Sequence, residues 1–506
     1  MAFQLSPGVN VSEVDLTTVV PSVLTTAGAF AGTFAWGPAN KIVLVDSEVN
    51  LVQKFGKPND TTAVSFFTAA NFLAYGNNLK LVRAIDASSK NADSNTSAPN
   101  ISVANEDVFE NTLLNSNNNN TYGPFMARYA GDLGNSLTVS VCGNGSLFAT
   151  WAYAGYFSSA PGTSSDVSNK GGLNDEMHIV VVDTNGKFSG TAGTVLERYA
   201  FVSKASDAVN LNDGSSNYYK RVVFNQSKYV YAVDPADYAN THLTWGSTAS
   251  GTVFTNLTTN LSYTLSNGVD GTVSSADLQT AYTLFENKDV VDISLVLTGD
   301  ADVATQQFAI DNIANARGDC IAFVSPPASA VVNQSGAELT NIQTWLASLS
   351  RNSSYAVSDS GWKYQFDKYN NVYRYIPLNA DVAGLCVYTD SVRDPWYSPA
   401  GLNRGAIRNS VKLSWNPTKT YRDTLYAAGV NPVVSLPGQG TVLFGDKTLQ
   451  SKPSAFDRIN VRRLFIVLEK SIATAAQFSL FEFNDAFTQA RFVSLITPFL
   501  RDVKGR

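Results

Sequence analysis

Residues 291–327 read VDISLVLTGDADVATQQFAIDNIANARGDCIAFVSPP. VDISLVLTG, from Val291, is a short apolar run closed by a glycine and reads as a strand. VATQQFAIDNIANARG, from Val303, has the length of a helix and ends on Gly318. CIAFVSPP, from Cys320, is a second strand that stops at prolines. Strand, helix and strand at this spacing form a compact βαβ unit, which makes the two strands parallel and the crossover right-handed. A further helix follows, with Leu339, Ile342, Leu346 and Leu349 in register.

The same αβ alternation occurs upstream. AGAFAGTFAW and KIVLVD are strand patterns between Ala27 and Asp46. Ser47 is placed to cap a helix carrying Leu51, Val52 and Phe55, stopped by Gly56 and Pro58. A second helix places Phe66, Ala70 and Leu73 in a row with Gly76 as its stop, and LKLVRAI is the next strand. Between these two α/β regions the character changes. Residues 87–124 are rich in Asn, Ser and Asp and read as a surface excursion. Residues 125–285 are β-rich, with LTVSV, HIVVVD, RYAFV, RVVF and YVYAV among Gly, Asn and Ser turns. Beyond 351, KYQFDKYNNVYRYIPL suggests a hairpin turning at Asn370-Asn371. A helix follows Pro377, then the strand TVLFG, the helix VRRLFIVLEKSIATAAQ, and a last helix near 485–502 that Pro498 should kink or shorten.

The fold class is therefore α+β and multidomain: an α/β core with a βαβ unit, a β-rich insertion and a further mixed α/β region. The divisions are an N-terminal arm and linker over 1–23, a middle domain over 24–86 plus 125–350, a surface loop over 87–124, and a last domain over 351–506. In the arm, Val9 and Val11 alternate with polar residues between Pro7 and Pro21, which suits an edge-seeking strand or an ordinary terminal strand.

Composition narrows the function. The chain has 506 residues, 44% of them hydrophobic, with formal charge −6 and pI near 5.1. That balance disfavours general nucleic-acid binding. Cys142, Cys320 and Cys386 are far apart and odd in number, without C-x-x-C, so neither a disulfide framework nor a zinc site is indicated. No signal-peptide pattern and no membrane-length apolar run is visible, so membrane insertion is not expected. With only His178 and His242, imidazole-rich metal sites and His-dependent triads have little to build on, and no cofactor motif is present. GTVLFGDKT, Gly440 to Thr448, nearly matches a phosphate loop, but Asp446 stands between Gly445 and Lys447 and repels phosphate. Asp289 with Asp292 forms a carboxylate pair whose plain reading is a solvated strand entrance.

Two constellations stand out. AFDRINVRRLFIVLEK gathers Arg458, Arg462, Arg463 and Lys470, either as a docking stripe for an acidic partner or as internal salt bridges to residues such as Asp457 and Glu469. DPWYSPAGLNRG combines turn-formers with Asp394, Trp396, Tyr397 and Arg404, a shaped loop with broad aromatic contact area.

Taken in order, SPGVNVSEVD, GAFAGTFAWGP, LVQKFGKP, ANFLAYGNNLKLVRAID, ARYAGDLGNSLTV, DISLVLTG, ARGDCIAFVSPP, YQFDKYNNVYRYIPLNADVAGLC, PWYSPAGLNRG, GTVLFGDKTL and PSAFDRINVRRLF run over most of the chain. Together they resemble the contractile tail sheath proteins of myoviruses. The resemblance implies a structural, non-enzymatic subunit without cofactors. It implies polymerisation as stacked hexameric discs around a tail tube, and contraction that drives the tube through the host envelope. Implied partners are other copies, the tail tube protein, and baseplate and tail terminator proteins, without direct nucleic-acid contact. The implied location is the virion tail, with assembly in the host cytoplasm. The resemblance also makes 351–506 an inner assembly domain, mixed α/β and completed by terminal arms, and 87–124 a surface loop or vestigial outer domain; the family's strand exchange maps the arm to Val9, Val11, Val14 and Leu16, with a linker near 20–26. Arg458, Arg462, Arg463 and Lys470 become the candidate tube-facing patch, and Asp394, Trp396, Tyr397 and Arg404 a candidate assembly-domain loop. In the family a further segment follows the point reached by FLRDVKGR, so the expectation is a truncated form that is monomeric or weakly associated, with a natural short sheath as the alternative. Three readings stay open beside this one. The sheath of a bacteriocin or secretion system is nearly indistinguishable in sequence. A carboxylate-dependent glycosidase requires a cleft with two carboxyls about 5–9.5 Å apart. A β-rich adhesin requires repeats, and none is seen.

Overall fold

The computed structural model describes residues 23–94, 101–114, 122–233 and 244–505. The chain opens with β1 (Gly28–Gly32), β2 (Val43–Val45), α1 (Glu48–Phe55), α2 (Ala63–Leu73) and β3 (Leu79–Arg83). An insertion follows, comprising β4 (Asn91–Asp93), α3 (Glu106–Phe109), β5 (Phe125–Ala130), β6 (Leu137–Cys142), α4 (Ser165–Asn169), β7 (Glu176–Asp183), β8 (Thr194–Ser203), α5 (Tyr219–Gln226), β9 (Val230–Ala232) and β10 (Leu261–Thr264). The chain then returns through α6 (Ser275–Thr283), β11 (Leu295–Leu297), α7 (Val303–Phe308), β12 (Ile321–Val324), α8 (Ala328–Val331), α9 (Glu338–Leu349) and β13 (Ala356–Asp359). It ends with β14 (Trp362–Asp367), β15 (Val372–Pro377), α10 (Asn379–Val392), β16 (Lys412–Leu413), α11 (Lys419–Ala427), β17 (Val430–Asn431), β18 (Val433–Leu436), β19 (Gly440–Leu443), α12 (Ile459–Gln477) and α13 (Ala486–Gly505). No helix among the described residues is long and apolar enough to cross a membrane.

The opening stretch forms the expected βαβ unit. Asp302 caps α7 by accepting from the Thr305 amide, the helix widens into π-type turns over Ala309–Asn315, and Gly318 closes it at φ +71. β11 and β12 pair in parallel, Leu295 to Ile321. They lie inside a seven-stranded sheet of order β17-β13-β12-β11-β1-β3-β2, parallel except for β2 against β3. Both faces are buried, as a parallel sheet requires. Phe30, Leu295, Leu297 and Phe323 point toward α2, α10 and α12, while Ala29, Val296, Ala322 and Val324 point toward α6, α9 and the π-type turns.

This sheet corrects the boundary expected at 350/351. β13 pairs with β12, and β17 with β13, so residues beyond 351 extend the same sheet. The excursion expected over 87–124 is also more than a loop. Val103, Phe109, Leu113 and Leu114 are buried with Met126 and Tyr231, and Phe109 stacks on Tyr231 with centroids 3.8 Å apart. RVVF, expected as a strand, lies in α5, where Tyr219, Val222 and Val223 form one buried face. The insertion carries two antiparallel sheets, β10-β6-β7-β8 and β4-β5-β9, which share a core. The chain leaves and re-enters the α/β unit at a neck where Lys90 and Val269 exchange backbone hydrogen bonds of 2.9 and 3.0 Å, and Trp36 and Ala39 of that unit also contact the insertion. Beside the neck, Arg83 is buried, and its guanidinium donates to the carbonyls of Phe34, Gly37 and Ala130. α13 runs through Pro498 without ending there.

α2 and α10 approach through reciprocal glycines. A Cβ on Gly76 would sit 2.6 Å from a Val387 methyl, and one on Gly384 would strike the Tyr75 ring. That ring cannot swing away, because its hydroxyl donates to Asp381 (3.1 Å) and accepts from the Arg408 amide (2.7 Å). The same pair of helices closes a polar cluster at the carboxyl ends of the central strands. Lys363 donates to Asp381 at 2.9 Å, with both side chains fully buried. Ser325 bonds the Asp359 carboxyl at 2.6 Å, and Asn379 bonds Gly299 and Ser325. Burial pushes the Asp381 carboxyl up and the Lys363 ammonium down, with mutual attraction opposing both. Burial, with the Asp381 charge nearby, pushes the Asp359 carboxyl up to about 8.

Gly384→Ala should lower stability by about 1–3 kcal/mol in urea unfolding, despite alanine's better helix propensity, because the new methyl meets a fixed ring. Lys363→Ala should cost about 3–5 kcal/mol by stranding Asp381, whereas the double change Lys363→Met with Asp381→Leu should cost much less. Asp359 has a folded pKa above its unfolded value of about 3.9. Its contribution is therefore complete below about pH 4 and declines as pH rises toward about 8. Stability curves of Asp359→Asn against pH should be flatter across that window than those of the parent protein.

Candidate assembly surface

Four kinds of feature were expected to carry function, and the structure treats them differently. The arm residues Val9, Val11, Val14 and Leu16 lie outside the described residues.

The basic stretch is turned inward, which corrects its reading as a presented patch. Along α12, Ile459, Arg462, Arg463, Ile466, Val467, Ser471 and Ala475 form the buried face. Arginines at 462 and 463 fall on that face by helical spacing alone. Arg463 forms a buried ion pair with Asp390 at 2.5 Å. Arg462 lies between the rings of Tyr355 and Phe456, 4.2 and 4.0 Å from their centroids, and donates to Ser354. Lys470 pairs with Asp292 at 2.6 Å, which also removes that carboxylate from any acid–base pair. Arg458, at the helix start, pairs with Asp446 at 2.7 Å and holds the Tyr426 hydroxyl. The partners expected from sequence were Asp457 and Glu469. Asp457 is a secondary contact at 3.5 Å, and Glu469 lies on the outward face.

The loop at 394–405 folds against this helix start. Ser398 donates to Asp446, Asn460 donates to the Trp396 carbonyl, and Arg404 donates to the Ser398 carbonyl while lying over the Tyr397 ring. Gly401 and Gly405 exchange backbone bonds with Leu443 at the end of β19. Gly405 admits no side chain, since a Cβ there would sit 2.8 Å from the Gly401 carbonyl oxygen. Asp446, which spoils the phosphate-loop pattern, is thus the shared acceptor of Ser398, Tyr426 and Arg458. One carboxylate fastens the loop, α11 and α12 together.

Groups with catalytic potential are committed elsewhere or sealed. His178 bonds the Ser159 carbonyl through Nε2 and accepts the Phe201 amide through Nδ1, and burial lowers its pKa. Burial pushes the Cys320 thiol up to about 12 and the Cys386 thiol up to about 11. Asp359 and Asp381, two carboxylates that burial pushes up, are 1% and 0% exposed. Among the described residues no group of three or more His, Cys, Asp or Glu is placed to hold a metal ion.

One surface was missed by sequence reasoning. Between α12 and α13, FSLFEF exposes Phe478, Phe481 and Phe483, with Phe483 at 85%, and Phe487 follows on α13. Phe478, Phe483 and Phe487 border a cavity of about 300 Å³ between the two helices. The signal was available, because three phenylalanines within six residues exceed what a two-helix turn can bury.

The comparisons with known proteins agree with one another. Two family profiles match: "Phage tail sheath protein central domain" over residues 271–449, and "Tail sheath protein Gp18 domain III N-terminal region" over residues 25–84. These are the two regions that build the seven-stranded sheet. The tail sheath protein of Vibrio phage KVP40 is 31% identical, covering 99% of this chain and 91% of the relative. That of Enterobacteria phage T4 is 30% identical, covering 99% and 90%. In fold, the chain is similar to crystal structures of sheath tail proteins from Desulfitobacterium hafniense (TM-score 0.54, 12% identity, 99% and 89% covered) and Listeria innocua (TM-score 0.56, 11% identity, 95% and 84% covered). With the sheet built from the two matched regions and sequence identity sustained along nearly the whole chain, this protein belongs to the phage tail sheath family and is a contractile sheath subunit.

Proposed function

We propose that copies of this chain polymerise as stacked hexameric discs around a tail tube, held between baseplate and terminator proteins, and shorten together to drive the tube through the host envelope. The work is mechanical and non-enzymatic, done in the virion after assembly in the host cytoplasm. Sequence identity to tail sheath proteins along 99% of the chain carries this reading. Two structural features support it. The polar chemistry of the α/β unit is spent on internal fastening, which suits a body that moves as one piece while its contacts change. The apolar end at Phe478–Phe487 is an uncovered surface of the kind that assembly buries.

In this proposal the N-terminal arm, with Val9, Val11, Val14 and Leu16, passes to a neighbouring copy and adds a strand there. The loop with Asp394, Trp396, Tyr397 and Arg404 serves as a fastener within its own subunit. Tube contact through Arg458, Arg462, Arg463 and Lys470 is not part of the proposal, because those cations are already paired or stacked internally.

Co-expression with the tail tube protein should yield sheathed tubes by electron microscopy. Monodisperse subunits at high concentration, with the arm intact, would count against the reading. Deleting residues 1–20 should abolish the polymers while leaving the thermal midpoint within about 2 °C of the parent, as expected of an arm whose strand completes a neighbour's sheet. Ordinary polymers from the deletion would remove the strand-exchange assignment.

A further inference from the structure

The larger sheet of the insertion has one face in the insertion's core and one face under a thin cover. Val139, Ile179 and Val181 point into the core, so by strand alternation Cys142, His178, Val180 and Val182 point the other way. Residues 144–162 cross that second face as a strap, with 3-10 turns at Gly145–Thr150 and Ala154–Tyr156. Trp151 fills the space over Cys142, Val180 and Val182. Along its length the strap is fastened to the sheet by Trp151 Nε1 donating to Ser140 (2.9 Å), Arg198 donating to the Tyr156 carbonyl (3.1 Å) and His178 bonding the Ser159 carbonyl (2.9 Å). The imidazole is fully buried, stacked on Phe157 with centroids 4.2 Å apart, and has Phe201 edge-on at 4.6 Å. Ser159, on its outer side, is exposed.

β8 bulges opposite this ring. Met177 pairs with Val202 and Ile179 with Tyr199, so Ala200 and Phe201 together face His178. Phe201 takes φ +55, a left-handed conformation that a bulky residue rarely adopts. The extra residue of a bulge is left without a ladder partner, and here the Phe201 amide donates to His178 Nδ1 at 3.1 Å. An amide only donates and a carbonyl only accepts. Nδ1 therefore holds a lone pair, and Nε2 carries the hydrogen given to Ser159. The two partners together require one neutral tautomer. A proton on Nδ1 would set one N–H against another and leave the Phe201 amide without its acceptor.

The titratable and charged groups around the ring are Glu176 on β7, Cys142 opposite it on β6, Arg198 on β8, and Tyr153 and Tyr156 on the strap. Glu176 accepts from the Gly162 amide at 2.8 Å, and burial pushes its carboxyl up. Burial also pushes the Cys142 thiol up. For the imidazole, burial is the largest influence and lowers its pKa, opposed in part by the carbonyls of Ser159 and Met177. The fold thus favours the neutral ring. Its fastening is complete above the ordinary imidazole pKa of about 6.5 and is lost as pH falls below that value.

We propose that the 144–162 strap is an acid-released cover with His178 as its latch: a proton taken up at Nδ1 breaks the bond to Phe201, drives the ring out of its aromatic cage and uncovers the sheet face at Cys142, Val180 and Val182. The inference is independent of the proposed self-assembly, since both partners of the latch lie within one insertion.

Cys142 reports the opening. The full chain is labelled with dithiodipyridine, which reacts with thiols in acid, and each cysteine is quantified by peptide mapping against free cysteine at the same pH. Cys142 should react on the order of tenfold faster at about pH 5 than at about pH 7.5, while Cys320 and Cys386 stay protected. His178→Gln keeps an acceptor for Phe201 and a donor for Ser159 without titrating, so Cys142 should stay protected at both pH values. Glu176→Gln should retain the acid step. A Cys142 rate indifferent to pH, an acid step that persists in His178→Gln or vanishes in Glu176→Gln, or all three parental cysteines opening together would each overturn the proposal. Where His178→Gln exposes all three cysteines, and so fails to fold, nitrogen NMR of the His242→Gln protein decides, because His178 is then the only histidine. The Nε2–H tautomer should be seen at neutral pH, and protonation should rise in step with Cys142 labelling. A protonated ring under a closed strap, or a neutral ring beside a labelled Cys142, would overturn it.

Discussion

A parallel sheet exposes no face to water, and that constraint organises the rest of this molecule. Seven strands must be covered twice. One covering layer needs α2 and α10 close enough that neither tolerates a side chain at Gly76 or Gly384. Bringing α10 over the carboxyl ends of the strands encloses whatever polar groups end there. Lys363 is therefore bonded to Asp381, and Ser325 to Asp359 and Asn379, and both sets are shut away from water. In an open α/β sheet the same position commonly holds a ligand. Here it is filled by the protein's own side chains.

The commitment of polar groups to internal fastening recurs away from the sheet. Asp446 joins the 394–405 loop to α11 and α12, Asp390 neutralises Arg463, and Arg83 occupies three carbonyls beside the neck. Buried pairs of this kind add little net stability over apolar packing, but they strongly penalise any arrangement that separates the partners. A subunit built this way resists internal rearrangement and leaves change to its boundaries.

The βαβ unit was legible because its strands and helix are short, periodic and cleanly bounded. The upstream α/β segment and the Asn370-Asn371 hairpin were legible for the same reason, with Asn371 adopting φ +55 at the turn. The domain boundary at 350 was not, because membership of a sheet is decided by which strands pair, and β13 and β17 have no local signal for that. RVVF misled through its β-branched composition, although the spacing of Tyr219, Val222 and Val223 already described a helical face. Residues 87–124 misled because Asn was read as a loop former. Asn91 instead faces inward, accepting from the Val103 amide and donating to the Ala127 carbonyl. On α12 the charges were counted before the face was. Reading Ile459, Ile466 and Val467 first would have placed Arg462 and Arg463 inside. The loop at 394–405 was legible as a shaped connection, while its fastening to Asp446 required the fold.

The neck at Lys90 and Val269 has an architectural consequence. Departure and return lie side by side as one antiparallel rung, and the α/β unit holds the insertion at further points around it: Ala39 bonds Ala104 and Asn105, Lys41 pairs with Glu106, and Arg83 reaches Ala130. Trp36, between β1 and β2, gives its ring to the insertion's own core against Tyr129 and Phe188. The insertion is in this sense keyed into the unit that carries it, and its orientation is set by the sheet as well as by the two chain crossings.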